Sequence, residues 1–243
     1  MRMDTRVFPD IDALSRGALD ELMRVMAEAV RERGRFSIAL SGGRTPEKMY
    51  RLWAERERQS PQTPWDKVHL FWGDERYVPK DDRLSNYCMT CEALIAHVPI
   101  PAGNVHRVPG PEDFATPEAA AEAYDAELRK FFGVGAPAFD LQLLGLGGEG
   151  HTASLFPGSP ALEEKRRLVM AVEAPAKPSR RLTLTPVVLN QARNTFFLVA
   201  GADKREIIRA LQAEPDSGGS QYPAARVRPG GPVLWFLDRA AMG

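Results

Sequence analysis

The sequence predicts an α/β fold, a doubly wound and mostly parallel sheet with helices on both faces. Three observations predict it. Short apolar runs alternate with amphipathic helical stretches along the chain, the pattern of repeated strand–helix units. Two of the runs end in glycine-rich turns, Ser41–Gly43 and Gly145–Gly150, and such turns lie at the carboxyl ends of strands where open α/β sheets bind ligands. No internal repeat, low-complexity tract or long linker divides the 243 residues, so a single domain spanning 1–243 is expected.

The elements follow in order. Leu14, Leu19, Leu22, Met23, Met26 and Val30 recur at helical spacing, which predicts a helix over Ile11–Arg33 stopped by Gly34. Phe36–Leu40 reads as a strand, and a helix runs from Pro46 to about Arg58 with Thr45 as N-cap and Pro46 as first helical residue. Pro61–Pro64 is a loop before a strand at Val68–Trp72. A helix starts at Leu84 or Ser85 with Asn86 in its first turn. Asn104–Val108 reads as an edge strand. Thr116 caps a helix over Pro117–Phe132, with acidic residues at its start, Arg129 and Lys130 at its end and Gly133 beyond. A strand follows from Phe139, with its apolar run at Leu141–Leu146, then strands at Leu168–Val172 and Leu182–Thr185 and a helical turn or two at Pro186–Ala192. A strand at Thr195–Val199 leads into a helix at Ala202–Ala213 that starts near Lys204. Glu214–Ser220 is a polar loop, and Val233–Leu237 is the last strand.

Composition excludes several functions. Lys plus Arg and Asp plus Glu are both 32, so the net charge is zero, which argues against a general nucleic-acid or anionic-membrane binder. No apolar run is long enough to span a bilayer, and the start lacks the apolar core of a signal peptide. A cytoplasmic chain is expected. Cys88 and Cys91 form a C-x-x-C inside a predicted helix interior. His97 and His106 follow at no common zinc spacing, so a buried or half-buried thiol pair is expected and no metal.

The chain is organised around Phe139–Pro157, FDLQLLGLGGEGHTASLFP. An apolar run suited to a buried parallel strand breaks into Gly145, Gly147, Gly148 and Gly150 around Glu149, and His151 follows. A histidine accepts or donates a proton near neutral pH, so His151 is either a catalytic base or a loop residue capping a turn. Ser41-Gly42-Gly43-Arg44-Thr45 is either a phosphate cradle, with backbone N–H groups and the helix dipole facing an anion, or a tight turn needing glycine only for its dihedrals. The Gly-Lys-Ser/Thr ending of a P-loop is absent. Asp74, Glu75 and Arg76 close a strand, where charges must be paired, solvated or used. Gly145–Gly150 also matches G-x-G-x-x-G. Pro157 and Pro160 arrive too early for the helix that a dinucleotide loop opens, and no acidic residue cleanly ends a second strand about twenty residues on; Glu173, just before Pro175, is the nearest.

With these loops in view, the chain resembles the 6-phosphogluconolactonases. The matching pieces are SGGRTPEKMY at Ser41–Tyr50, FWGDERYVP at Phe71–Pro79, SNY at Ser85–Tyr87, GLGGEGHTASLFPG at Gly145–Gly158, RLTLT at Arg181–Thr185, the V-A-G-x-x-K ending at Lys204 and W-x-L-D at Trp235–Asp238. Glu149 stands where that family usually has aspartate, and Gly148 where it often has proline. The resemblance implies a Rossmann-like fold shared with the glucosamine-6-phosphate isomerases and deaminases. It also implies hydrolysis of 6-phospho-D-glucono-1,5-lactone, the second step of the pentose phosphate pathway, with no cofactor or metal.

The expected roles follow. His151 is the general base, oriented by Glu149. Ser41, Gly42, Gly43, Thr45, Arg181 and Lys204 hold the phosphate. Asp74, Arg76, Asn86, Gly147 and Gly150 line the sugar, and loop N–H groups around Gly147–Gly150 face the oxyanion. The partner is a small-molecule sugar-phosphate lactone, bound by a monomer or small homo-oligomer, with no nucleic acid and no membrane. His69 and His106 are structural. The rival functions are a sugar-phosphate isomerase or deaminase with Asp74 as base, and a non-catalytic sugar-phosphate sensing module.

Overall fold

The computed structural model describes residues 3–133, 135, 137–213 and 221–243. The polar loop expected at Glu214–Ser220 lies outside the described residues. In chain order the elements are β1 (Asp4–Phe8), α1 (Ile11–Arg33), β2 (Phe36–Leu40), α2 (Arg44–Gln59), β3 (Val68–Trp72), β4 (Asp74–Arg76), α3 (Asn86–Ala93), α4 (Pro117–Phe132), β5 (Leu141–Leu144), β6 (Val169–Glu173), β7 (Arg180–Leu184), α5 (Pro186–Leu189), β8 (Thr195–Val199), α6 (Arg205–Ala213), β9 (Val233–Asp238) and α7 (Arg239–Met242).

Six strands form one parallel sheet in the order β1-β9-β8-β5-β2-β3. All residues of β2, β5 and β8 are buried, as strands covered on both faces must be. The crossover from β2 through α2 to β3 runs one way along the sheet, and the crossover from β8 through α6 to β9 runs the other way. Right-handed connections therefore place α2 and α6 on opposite faces. The order of strands reverses between β2 and β5. That switch point opens a crevice outside the carboxyl ends of the two strands, where the glycine turns after Leu40 and Leu144 stand.

Four local expectations are corrected. The α2 helix starts at Arg44, earlier than expected, because Gly43 at φ 102° is the N-cap and Thr45 lies inside the first turn with no capping bond. Asn104–Val108 is not a strand. A 3-10 turn over Ala102–Asn104 takes its place, and only Val105 bridges to Leu70. The strand β1 was not foreseen. It is a half-exposed edge strand whose register is set by β9, at the other end of the chain. Strands β6 and β7 do not join the main sheet. They pair antiparallel with β4 in a second, three-stranded sheet of order β4-β7-β6.

The expectation that His69 and His106 are structural matches their packing. His69 Nδ1 lies 3.2 Å from His106 Nε2, and His106 Nδ1 lies 2.7 Å from Glu127 Oε1. Both rings pack on Phe131. Burial, and then His106 and Arg35, pull the His69 imidazole down to about 4. The unfolded chain therefore binds the extra proton first, and stability contributed by neutral His69 is lost as pH falls from about 6.5 towards 4. A His69→Asn variant should lose less of its thermal midpoint over that window than the parent; parallel curves would contradict this origin.

Candidate active site

The turns after β2 and β5 open on one cleft of about 290 Å³. Its lining includes Ser41, Gly42, Gly43, Thr45, Asp74, Arg76, Asn86, Gly147, His151, Arg181 and Lys204. Of the residues expected from sequence, Glu149 and Gly150 alone fall outside that lining.

The first turn is held by its own helix. Tyr50, one and a half turns into α2, accepts from Ser41 N at 3.1 Å and donates to Ser41 O at 2.9 Å. The first helical bond is Glu47 N–H to Gly43 O at 3.0 Å. Among the described residues, none accepts from the backbone N–H groups of Gly43, Arg44 or Thr45. Pro46 follows at the position where a fourth donor would stand. Gly42 is required by a close approach, since a Cβ there would lie 1.9 Å from Asn86 Oδ1.

Asn86 and its neighbours come from the segment after β3. Glu75 is buried and accepts from Arg76 N, Ser85 Oγ, Asn86 N and Tyr87 N at 2.7–3.0 Å. Burial pushes its carboxyl up to about 7 against the pull of those donors. Glu75 is thus the anchor of the α3 N-terminus, while its neighbours Asp74 and Arg76 face the cleft. Asn86 Nδ2 donates to Asp74 O at 2.9 Å. Arg76 Nη1 donates to Leu84 O at 2.6 Å, and its buried Nε has no partner among the described residues. Arg181 enters from β7, directly opposite Arg76, with its guanidinium 5.7 Å from the Phe156 ring. Burial and Arg76 lower its pKa, and Asp74 offsets part of this.

The second turn presents the imidazole. His151 packs between Gly147 and Phe156, whose ring centroid lies 4.4 Å away. A Cβ on Gly147 would stand 1.9 Å from His151 Nδ1. Glu149 Oε2 lies 3.2 Å from Nδ1 but off the line a hydrogen bond needs, so Nδ1 is buried without a bonded partner. Among the described residues no hydrogen bond reaches Nε2, and His151 lines the cleft. Burial raises the Glu149 carboxyl, but its backbone N–H, His151 and Lys204 outweigh this and hold it below the usual range. The turn then passes through Ala153 at φ 48°, a left-handed conformation costing roughly 1–2 kcal/mol for a residue with a Cβ.

Two expectations for this loop are corrected. Of the loop N–H groups expected to face an oxyanion, those of Gly147 and Gly150 do not: they donate to His151 O at 2.9 Å and Gly147 O at 3.0 Å. Gly150 does not line the sugar site either. Its carbonyl accepts from Ala224 N at 2.9 Å, its φ is 81°, and a Cβ would meet the Tyr222 ring at 2.7 Å. Sequence reading also gave Ser154 no role, though its hydroxyl donates to Asp74 Oδ2 at 2.6 Å.

Lys204 reaches the cleft from the turn after β8, with Nζ 3.1 Å from Asp203 Oδ2. Cys88 and Cys91 are free and partly exposed on α3, and burial raises both thiols. Among the described residues, no group of three or more His, Cys, Asp or Glu side chains is arranged to hold a metal ion. No α-helix opens directly after the Gly145–Gly150 loop; the next begins at Pro186. This is unlike a dinucleotide-binding turn.

Known proteins resemble this chain in sequence and fold. The family described as glucosamine-6-phosphate isomerases/6-phosphogluconolactonase matches residues 9–235. A 6-phosphogluconolactonase of Synechocystis sp. is 46% identical over 219 residues, covering 89% of this chain and 87% of that protein. One from Mycobacterium tuberculosis is 41% identical over 248 residues, covering 99% and 98%. A solved 6-phosphogluconolactonase from Trypanosoma brucei superposes with a TM-score of 0.85 at 30% identity, covering 99% of this chain and 97% of that one. The chain therefore belongs to the glucosamine-6-phosphate isomerase/6-phosphogluconolactonase family, as a hydrolase of its 6-phosphogluconolactonase branch.

Proposed function

We propose that the chain hydrolyses 6-phospho-D-glucono-1,5-lactone to 6-phospho-D-gluconate, the second step of the pentose phosphate pathway. The observation that carries this reading is that His151, with no hydrogen bond to its Nε2 among the described residues, and the unpartnered N–H groups of Gly43, Arg44 and Thr45 lie on one cleft. His151 takes a proton from water as the water attacks C1, and returns it to the departing ring oxygen. Glu149, ionised and 3.2 Å away, favours the charged imidazole that forms. The phosphate lies on the α2 N-terminus, where the helix dipole and backbone donors favour an anion, with Lys204 and Arg181 supplying charge. Asp74, Asn86 and Arg76, with its unpartnered Nε, take the sugar oxygens.

Among the described residues no helix is long and apolar enough to cross a membrane, and we place the reaction in the cytoplasm, on a small molecule. An isomerase would need a carboxylate base with an acid partner, and Ser154-Leu155-Phe156-Pro157 places no carboxylate in the turn after His151. Fresh lactone, glucosamine 6-phosphate and fructose 6-phosphate, each mixed with the protein, should give acid from the first alone. Ammonia release, or no reaction with the lactone, would reject the proposal.

Lys204→Ala should weaken binding of 6-phosphogluconate about 10- to 100-fold, as expected for losing one charge-assisted contact of about 1.5–3 kcal/mol. Calorimetry gives the affinity directly, and an unchanged value would remove Lys204 from the phosphate site.

A further inference from the structure

Ser154 lies three residues beyond His151, is fully buried and does not line the cleft. Its hydroxyl nevertheless reaches a residue that does. Oγ donates to Asp74 Oδ2 at 2.6 Å, and its backbone N–H donates to Thr183 Oγ1 at 3.2 Å. Asp74 and Thr183 face each other across β4 and β7. One serine thus ties the turn carrying the imidazole to both strands of the second sheet that supply the cleft.

Asp74 itself is nearly buried. Its Oδ2 is taken by Ser154, and its Oδ1 lies 3.4 Å from Asn86 Nδ2. The terminal torsion of an aspartate is soft, so the direction in which the carboxylate points depends on what holds it. Arg181, whose Nε donates to Pro178 O at 3.1 Å, interacts with it electrostatically. A carboxylate freed from the serine would turn towards that guanidinium, because a buried acceptor left unpaired is costly. It would then occupy a cation that the substrate needs.

We propose that Ser154 is a positioning residue that acts through Asp74. It pins Oδ2 and leaves Oδ1 as the oxygen presented to the sugar hydroxyls, and it keeps Arg181 free for the ligand. This rests on the reading of Asp74 as a sugar contact. The contact also fixes Asp74 in register with His151, so that the acceptor for the sugar and the base for the water move as one unit.

The test is a double-mutant cycle on hydrolysis of fresh 6-phosphogluconolactone, using the parent, Ser154→Ala, Asp74→Asn and the double variant, with the thermal midpoint of each. Ser154→Ala should lower kcat/KM about tenfold or more, mostly through KM, when Asp74 is present. In the Asp74→Asn background the same substitution should change kcat/KM by less than about twofold, the mark of two residues acting as one. An equal loss in both backgrounds would overturn the inference, since a serine that only shapes the turn harms both alike. Ser154→Cys, which keeps a small weak donor, completes the same cycle if the alanine variant does not fold. Asp74→Asn with parental kinetics would instead reject Asp74 as a sugar contact, which separates that failure from this one.

Discussion

His151→Ala should lower kcat/KM for lactone hydrolysis by about 10²- to 10⁴-fold, the range for losing a positioned general base. The folded state should survive. The ring is partly exposed and lies at the mouth of the sheet, outside the buried cluster built on β2, β5 and β8. Its loss removes one contact on Phe156 and no hydrogen bond to the ring. Binding of 6-phosphogluconate should fall far less than kcat/KM, because the proposed phosphate contacts come from α2, β7 and the turn after β8. Steady-state kinetics and calorimetry together separate these outcomes. Turnover within a few-fold of the parent would remove the proposed base.

Gly147→Ala should be nearly as damaging, although it removes no reacting group. Its added Cβ would meet His151 Nδ1 at 1.9 Å and Cε1 at 2.1 Å, and Phe156 closes the other side of the ring. The imidazole must swing out of place, and a displacement of about 1 Å costs roughly 10²-fold in rate. The neighbouring Gly148→Ala is the control, because nothing lies within 4 Å of the Cβ it would add. A fall in kcat for the first and parental kinetics for the second are expected. Equal kinetics would mean that the ring is not held where the structure has it.

Local pattern carried the elements whose causes are local. The apolar stripe and Gly34 bound α1 at its observed ends, and Thr116, Pro117 and Gly133 did the same for α4. The buried runs of β2, β3 and β8 were legible because strands covered on both faces lack polar alternation. What stayed hidden was pairing between distant segments. Neither β1 nor β4 has a pattern strong enough to announce a strand. Their partners, β9 and β7, lie far along the chain.

The same division holds in the site. His151, Lys204 and the Ser41–Thr45 turn were visible as residue types at strand ends. Glycine, by contrast, has several uses that sequence does not tell apart. Gly42 and Gly147 make room for side chains, Gly43 caps a helix at positive φ, and Gly150 serves a turn under Tyr222. Glu75 and Asp74 are adjacent acids with opposite duties, and only their partners distinguish them: four donors of the α3 entry for one, Ser154 and the cleft for the other.

The most direct test of the account is a crystal structure with 6-phosphogluconate bound. The phosphate should lie within hydrogen-bond reach of the Gly43–Thr45 N–H groups and Lys204 Nζ, with the C1 carboxylate beside His151 Nε2. A phosphate seated at His151, or a C1 carboxylate turned away from the imidazole, would contradict it.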